Sequence, residues 1–142
     1  IRMHPELWGP GAWKLLHSIT FNYPKEPTSR DKELHANFFN SLQFVLPCEK
    51  CAYHFSQNLK KYPIEEVLDE KEEFVKWLIH VHNEVNTMLN KPIKSQEEVI
   101  EEYKKELNEI TGQYISFQNL FLALIVIIIM FLLLTNRIQI IF

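Results

Sequence analysis

The sequence predicts an all-α fold: a four-helix bundle with a short fifth helix, followed by a C-terminal transmembrane helix. Apolar residues recur with the 3.6-residue period of amphipathic helices, and no alternation of useful length indicates a β-strand. Pro24, Pro47, Pro63 and Pro92 divide the chain into segments of helical length. Leu120–Leu134 is an unbroken apolar run of 15 residues without the polar face of a half-buried soluble helix.

Caps and prolines predict the first two helices. The first is expected over residues 10–22, because Tyr23 and Pro24 end it. Thr28 or Ser29 is suited to cap the second, since a hydroxyl accepts a hydrogen bond from the first turn. The inner face of the second helix is expected to carry Leu34, Phe38, Leu42 and Val45.

The next three helices follow from the same signals. The third is expected over residues 47–61 and ends before Pro63. The fourth covers residues 71–89, and a capping box of Ser95 and Glu98 opens an acidic fifth helix that runs to about residue 108. The stripe of the fourth helix is the clearest in the chain and consists of Phe74, Trp77, Leu78, Val81, Val85, Met88 and Leu89.

The C-terminal segment predicts a membrane anchor. The apolar stretch 115–135 has 21 residues, and about 20 helical residues cross the ~30 Å hydrocarbon core of a bilayer. Thr111 and Gly112 are expected to lead into it, so we expect a domain over residues 1–112 and a single-pass anchor over residues 113–142. No signal peptide is recognised at the N-terminus, which predicts a tail anchor with the domain facing the cytosol.

The charge of the chain argues against nucleic acid as a partner. The formal net charge is −3 at pH 7, and no basic stripe is present. In a cytosolic domain, two neighbouring cysteines are more naturally catalytic or metal-binding than a structural staple.

Cys48 and Cys51 are the only cysteines, and they follow Pro47 as a Cys-x-x-Cys pair. At positions i and i+3 both sulfurs lie on one face of a helix, close enough to bridge. The first cysteine then sits near a helix N-terminus, where free N–H groups and the macrodipole favour a thiolate. The pair therefore predicts thiol–disulfide exchange.

Two other interpretations of the pair remain open on spacing alone. The cysteines are also half of a four-ligand zinc site, or two inert thiols. A zinc site needs two further ligands, and no second Cys-x-x-Cys follows. The remaining candidates are His4, His17, His35, His54, His80 and His82.

A dithiol becomes an oxidase only if a cofactor or a partner accepts two electrons. Aromatic, His and Asn side chains able to hold a flat cofactor are concentrated at helical spacings: Trp13 with His17, Trp77 with His82, and His54 three residues after Cys51. On spacing alone, Trp13 and Trp77 fit core anchors better than cofactor contacts, and a flavin stays one interpretation among several.

The order of the motifs resembles one family. Four motifs follow one another along the chain: Trp8-Gly9-Pro10-x-x-Trp13-x-x-x-His17, Tyr23-Pro24, Pro47-Cys48-x-x-Cys51-x-x-His54 and Trp77-x-x-x-x-His82-Asn83-x-Val85-Asn86-x-x-Leu89-x-Lys91-Pro92. In this order they are similar to the motifs of the Erv/ALR family of FAD-linked sulfhydryl oxidases, and the resemblance covers roughly residues 7–103.

The resemblance implies a helical bundle that holds FAD at its mouth, as a homodimer. It implies that Cys48 exchanges with a protein dithiol or a small thioredoxin-like carrier, that Cys51 passes electrons to the flavin, and that molecular oxygen becomes hydrogen peroxide. The implied FAD contacts are Gly9, Trp13, His17, Tyr23, His54, Trp77, His82, Asn83, Val85, Asn86, Leu89, Lys91 and Tyr103; no metal is implied.

Three departures from the family pattern stand out. Pro10 replaces an arginine that cellular members often carry, and Tyr103 stands where many have a tryptophan. The additional cysteines of cellular members, a shuttle pair and a structural disulfide, have no counterpart here. Compact forms with a single Cys-x-x-Cys resemble those of large DNA viruses, which implies a host or virion membrane for the anchor.

Overall fold

The computed structural model describes the backbone of residues 3–141 and the side chains of residues 3–133. Over this part of the chain the structure is helical and contains no strand, which confirms the predicted fold class. The helices are α1 (Pro5–Phe21), α2 (Ser29–Val45), α3 (Glu49–Lys61), α4 (Lys71–Met88) and α5 (Gln96–Ile141), with a 3₁₀ turn at Ile64–Glu66.

Helix α1 begins at Pro5 rather than at residue 10 as predicted. His4 is its N-cap, and the His4 Nδ1 atom accepts the Glu6 N–H at 3.4 Å. Pro5 takes the first helical position, where a missing N–H costs nothing. Pro10 consequently lies inside the helix, in its second turn, and not at the helix start as predicted.

Helix α2 is capped as predicted, but its predicted inner face is largely wrong. Phe39 is fully buried and Leu42 packs against the core. Leu34, Phe38 and Val45, expected inside, are 47 %, 39 % and 67 % exposed. Apolar residues occur on several sides of α2, so its periodicity does not select a face, and packing against α3 and the 3₁₀ turn does.

The core of the first unit, which ends at Gln96, is built largely from aromatic side chains. The Phe74 ring lies edge-on to Tyr23 at 5.0 Å and to Phe39 at 5.3 Å between centroids. Leu78 and Val81 on α4 are also fully buried, so the predicted stripe of α4 faces the core along its first three turns. This packing joins α4 to α1 and fixes the relative positions of their side chains.

The second unit begins at Glu97 and consists of α5. The predicted fifth helix and the predicted span form one continuous helix through Gly112. Along Gln96–Leu133, this helix is long and apolar enough to cross a membrane, with a most apolar stretch of mean hydropathy 2.6 that is not buried. The boundary predicted at residues 112 and 113 lies inside this helix and stays a prediction.

Candidate active site

A disulfide joins Cys48 and Cys51 at the beginning of α3, with their Cα atoms 5.1 Å apart. Cys48 is the N-cap residue, one position before the helix. The Cys48 sulfur accepts the Cys51 backbone N–H at 3.2 Å. Both residues are half-buried, so the pair is reachable from solvent at the edge of the first unit.

This position favours negative charge on the Cys48 sulfur. The N-cap side chain faces the unpaired N–H groups of the first turn, and the helix macrodipole adds to their effect. A sulfur held there is a good leaving group in thiol–disulfide exchange, because exchange is faster when the departing thiolate is stabilised. The geometry therefore suits a redox-active disulfide better than an inert thiol pair.

The zinc interpretation finds no support among the residues that the structure describes. No group of three or more His, Cys, Asp or Glu side chains there is placed to hold a metal ion. His54 is half-buried one turn beyond Cys51, beside the Tyr53 ring, and its predicted cofactor contact stays a prediction.

Three of the predicted cofactor residues lie together between α1 and α4. The Trp13 and His82 rings stack in parallel, with centroids 4.0 Å apart and 7° between their planes. The His17 Nε2 and His82 Nδ1 atoms are 3.0 Å apart and share a hydrogen bond. His17 is almost fully buried, while the other two rings are half-buried. The arrangement presents a flat aromatic surface held in place by a buried imidazole.

Burial, with a smaller effect of His82, lowers the pKa of His17 from 6.5 to about 4. Between pH 4 and pH 6.5 the folded state therefore binds fewer protons than the unfolded state. The free energy of unfolding keeps its full contribution from His17 above pH 6.5 and loses it as the pH drops toward 4. We expect His17 to account for a loss of about 2 kcal/mol in unfolding free energy between pH 7 and pH 5. Denaturant titration of wild type and His17→Gln at both pH values checks this: the loss should shrink by that amount in the variant, and equal losses would contradict it.

The structure places Tyr23 and Trp77 in the core. The Tyr23 hydroxyl donates to the Leu68 carbonyl at 2.9 Å, and the Trp77 Nε1–H donates to the Tyr62 carbonyl at 2.9 Å. Both side chains are nearly inaccessible, and their polar atoms already have partners. Their predicted contact with the cofactor stays a prediction, while their packing role is evident.

Replacing Tyr23 with Phe is expected to destabilise the fold by about 1–3 kcal/mol, because the buried Leu68 carbonyl loses its donor. Denaturant unfolding of the full chain in detergent measures the change. Tyr53→Phe is the matched control, since Tyr53 is 62 % exposed, and its effect should stay within about 0.5 kcal/mol. Equal effects of the two substitutions would contradict the assignment.

The C-terminal end of α4 is a Schellman motif. Asn90 adopts a left-handed conformation with φ of 53°. The Lys91 N–H reaches the Asn86 carbonyl at 2.8 Å, and the Asn90 N–H reaches the Thr87 carbonyl at 3.1 Å. This turn leaves the predicted contacts Leu89 and Lys91 exposed, directly after the helix.

Asn83 fixes the segment that follows this turn. Its amide nitrogen donates to the Lys94 carbonyl at 2.8 Å, and its amide oxygen accepts the Lys94 N–H at 3.1 Å. Asn83 therefore positions the backbone at Lys94, a role that the sequence did not predict. Val85 and Asn86, also in the predicted set, are half-buried on the last turns of α4.

Trp8 is a candidate that the predicted set omits. Its Nε1 atom is buried and has no hydrogen-bond partner among the residues that the structure describes. Gly9 follows it, and the position that a side chain would take at Gly9 is open space. The Trp8–Gly9 pair that opens the first motif is the sequence signal that could have identified Trp8.

Tyr103 lies on α5, in the second unit. Burial, with Glu106 and Glu102 as smaller causes, raises its pKa to about 12. Its phenol is therefore neutral at physiological pH. Its predicted role at the cofactor stays a prediction.

Comparison with known proteins identifies similar sequences. The model of the Erv1/Alr family matches residues 10–104. A protein named "Probable FAD-linked sulfhydryl oxidase" in Acanthamoeba polyphaga mimivirus is 42 % identical over 106 residues, covering 74 % of each chain. The FAD-linked sulfhydryl oxidase ERV2 of Saccharomyces cerevisiae is 29 % identical over 110 residues, which are 78 % of this chain and 55 % of the yeast protein.

Two solved structures are similar to this chain in fold. The crystal structure of the FAD binding domain of Erv1 from Saccharomyces cerevisiae superposes with a TM-score of 0.64 at 32 % identity. The match covers 67 % of this chain and 89 % of that domain. The yeast Erv1 core matches similarly, with a TM-score of 0.63 at 30 % identity.

Proposed function

Because this chain belongs to the Erv1/Alr family, we propose that it is an FAD-linked sulfhydryl oxidase whose redox-active centre is the Cys48–Cys51 disulfide. The observation that carries the proposal is this disulfide, the single one among the described residues, placed at the start of α3. The enzyme oxidises a dithiol to a disulfide and passes the two electrons to molecular oxygen.

The exchange with substrate uses only the two cysteines of the chain and the two thiols of the substrate. A substrate thiolate attacks the Cys48 sulfur, the bond to Cys51 breaks, and Cys51 leaves as a thiolate. The second substrate thiolate attacks the substrate sulfur of the mixed disulfide and releases Cys48. The substrate has then lost two electrons and two protons, and the Cys48–Cys51 disulfide has become a dithiol.

Two features support Cys48 as the residue that exchanges with substrate. It lines a groove at the protein surface, and Cys51 does not. In the second exchange step Cys48 is the leaving group, and the Cys51 N–H stabilises it as it departs. Cys51, released in the first step, is the sulfur that we assign to the cofactor side.

The residues around α1 and α4 fit FAD. The buried Nε1–H of Trp8 is a donor without a partner in the described part of the chain, the Trp13–His82 stack offers a flat aromatic surface, and the exposed Lys91 supplies a cation for a phosphate. Bound FAD supplies a two-electron acceptor between the dithiol and molecular oxygen, with hydrogen peroxide as the product. His17 holds His82 in place and stays neutral.

Oxygen consumption tests the proposed reaction. The purified full chain in detergent, supplied with FAD and dithiothreitol, is expected to consume one molecule of oxygen and form one of hydrogen peroxide for each dithiol oxidised. Bound flavin without oxygen uptake would reject the oxidase and leave the flavin a structural role.

We further propose that α5 anchors the enzyme in a membrane. The support is the unburied apolar stretch of α5. The similarity to a mimivirus protein supports an origin in a large DNA virus, and hence a host or virion membrane. Cys48, which lines a groove at the protein surface, receives electrons from a client protein or a thioredoxin-like carrier.

The outer face of α2 supports a homodimer. Leu34, Phe38 and Val45 lie within about 40° of one another around the helix and remain exposed in the single chain. Exposed apolar side chains on one helix face indicate an interface, and a second copy offers a self-complementary partner.

We expect Phe38→Glu to convert a dimer into a monomer, because a buried carboxylate opposes an interface that each apolar side chain otherwise stabilises by about 1.5–3 kcal/mol. Light scattering of the full chain in detergent measures the mass. Phe44→Glu is the matched control: Phe44 is 80 % exposed but lies off this helix face. A monomeric wild type, or a dimer that survives Phe38→Glu, would exclude this interface.

A further inference from the structure

A surface groove of about 200 Å³ lies beside the redox disulfide. One wall is formed by residues 3–5 at the beginning of α1, and the other by residues 47–50 at the beginning of α3. Cys48 is one of the lining residues. The residue that we assign to substrate exchange therefore forms part of the groove lining.

We propose that this groove binds an extended segment of the protein substrate and accepts a bulky apolar side chain next to the reactive substrate cysteine. The inference rests on the proposed function and adds a substrate preference to it. The groove is smaller than the roughly 300–1,000 Å³ pockets that hold drug-sized ligands. Its size suits one amino-acid side chain.

The aliphatic part of the lining supports the preference for an apolar side chain. Met3, Pro5 and Pro47 contribute aliphatic surface, and the thioether of methionine adapts to different apolar shapes. Neither proline has an N–H to donate. The polar lining consists of His4, Cys48, Glu49 and Lys50. Glu49 and Lys50 carry opposite charges, so together they do not select a substrate of either charge.

The position of the groove couples this binding to the chemistry. A substrate segment whose side chain occupies the groove has its neighbouring cysteine close to the Cys48 sulfur, which raises the effective concentration of the attacking thiolate. Dithiothreitol has no such side chain and reaches Cys48 without the groove. The ratio of kcat/KM for a peptide dithiol to that for dithiothreitol therefore reports the groove separately from the redox chemistry.

The test uses the full chain in detergent with FAD and two peptides that differ only in the residue before the first cysteine of a Cys-x-x-Cys pair, Leu in one and Glu in the other. We expect kcat/KM to be about tenfold higher for the Leu peptide, mainly through KM, because one apolar side chain is buried. Met3→Glu should reduce the ratio of Leu peptide to dithiothreitol about tenfold, and Met3→Lys should shift the preference toward the Glu peptide.

Leu7→Glu is the matched control, because Leu7 is 72 % exposed in the first turn of α1 and does not line the groove; it should leave the ratio unchanged. If the wild type oxidises dithiothreitol but treats both peptides alike, or if the Met3 variants behave like the Leu7 variant, the groove inference is wrong and the oxidase stands. If dithiothreitol is not oxidised at all, the proposed function fails and the inference fails with it.

Discussion

Cys51→Ser is expected to lower the rate of dithiol oxidation at least ~10³-fold while FAD stays bound. A serine hydroxyl cannot form the disulfide with Cys48, so the variant has no two-electron centre to accept electrons from the substrate. Removing a residue that bonds covalently in the reaction costs factors of this size or larger. Oxygen uptake with dithiothreitol gives the rate, and the visible spectrum gives the flavin content.

Cys48→Ser should stop the reaction equally, since the two sulfurs act as one centre. The variants should differ in trapping. In Cys51→Ser, the Cys48 thiolate can attack an activated disulfide, expel its leaving thiolate and hold the other half as a mixed disulfide, whereas Cys48→Ser should not form this adduct. Normal turnover of Cys51→Ser, or mixed disulfides formed preferentially through Cys51, would overturn the assigned roles.

Two lysines in the middle of the apolar run, Ile127→Lys with Ile128→Lys, are expected to remove the chain from membranes. Each lysine at the centre of a membrane helix costs about 2.5–3.5 kcal/mol in insertion. The unburied stretch of α5 has no protein core around it to compensate. In carbonate extraction of cells that express the full chain, the wild type should stay in the membrane pellet and the double variant should move to the supernatant.

The matched control places the same change outside the span, with Leu107→Lys and Ile110→Lys. Both residues are exposed on α5 and precede the apolar run, so this variant should remain in the pellet. A double variant at 127 and 128 that stays membrane-bound, or a wild type that carbonate extracts, would rule out α5 as the anchor.

The sequence predicted the helices well where one strong signal determined each boundary. Tyr62 and Pro63 end α3, and Thr28 caps α2 as expected. Apart from Leu42, the predicted inner face of α2 was wrong. Phe38 and Phe39 are adjacent and point to different sides, so only packing decides which is buried. The continuity of α5 through Gly112 reflects cooperative propagation, which outweighs a cost of about 1 kcal/mol for one glycine.

The sequence predicted the local part of the candidate site but not the parts formed by segments that are distant along the chain. A local motif predicted the cysteine pair, and the structure places both residues at the N-terminus of a helix. The double hydrogen bond of Asn83 to Lys94 and the groove between residues 3–5 and 47–50 depend on segments meeting in three dimensions. No spacing in the sequence contains that information.

The most direct test of the central claim is the visible spectrum of the purified full chain, recorded without oxygen before and after one equivalent of dithiothreitol. Electrons that pass from a dithiol through Cys48 and Cys51 to FAD should bleach the flavin band in the wild type, and admitted air should restore it. The Cys51→Ser protein should remain yellow under the same treatment. A wild-type flavin that dithiothreitol does not bleach, or a colourless protein that takes up no FAD, would contradict the account.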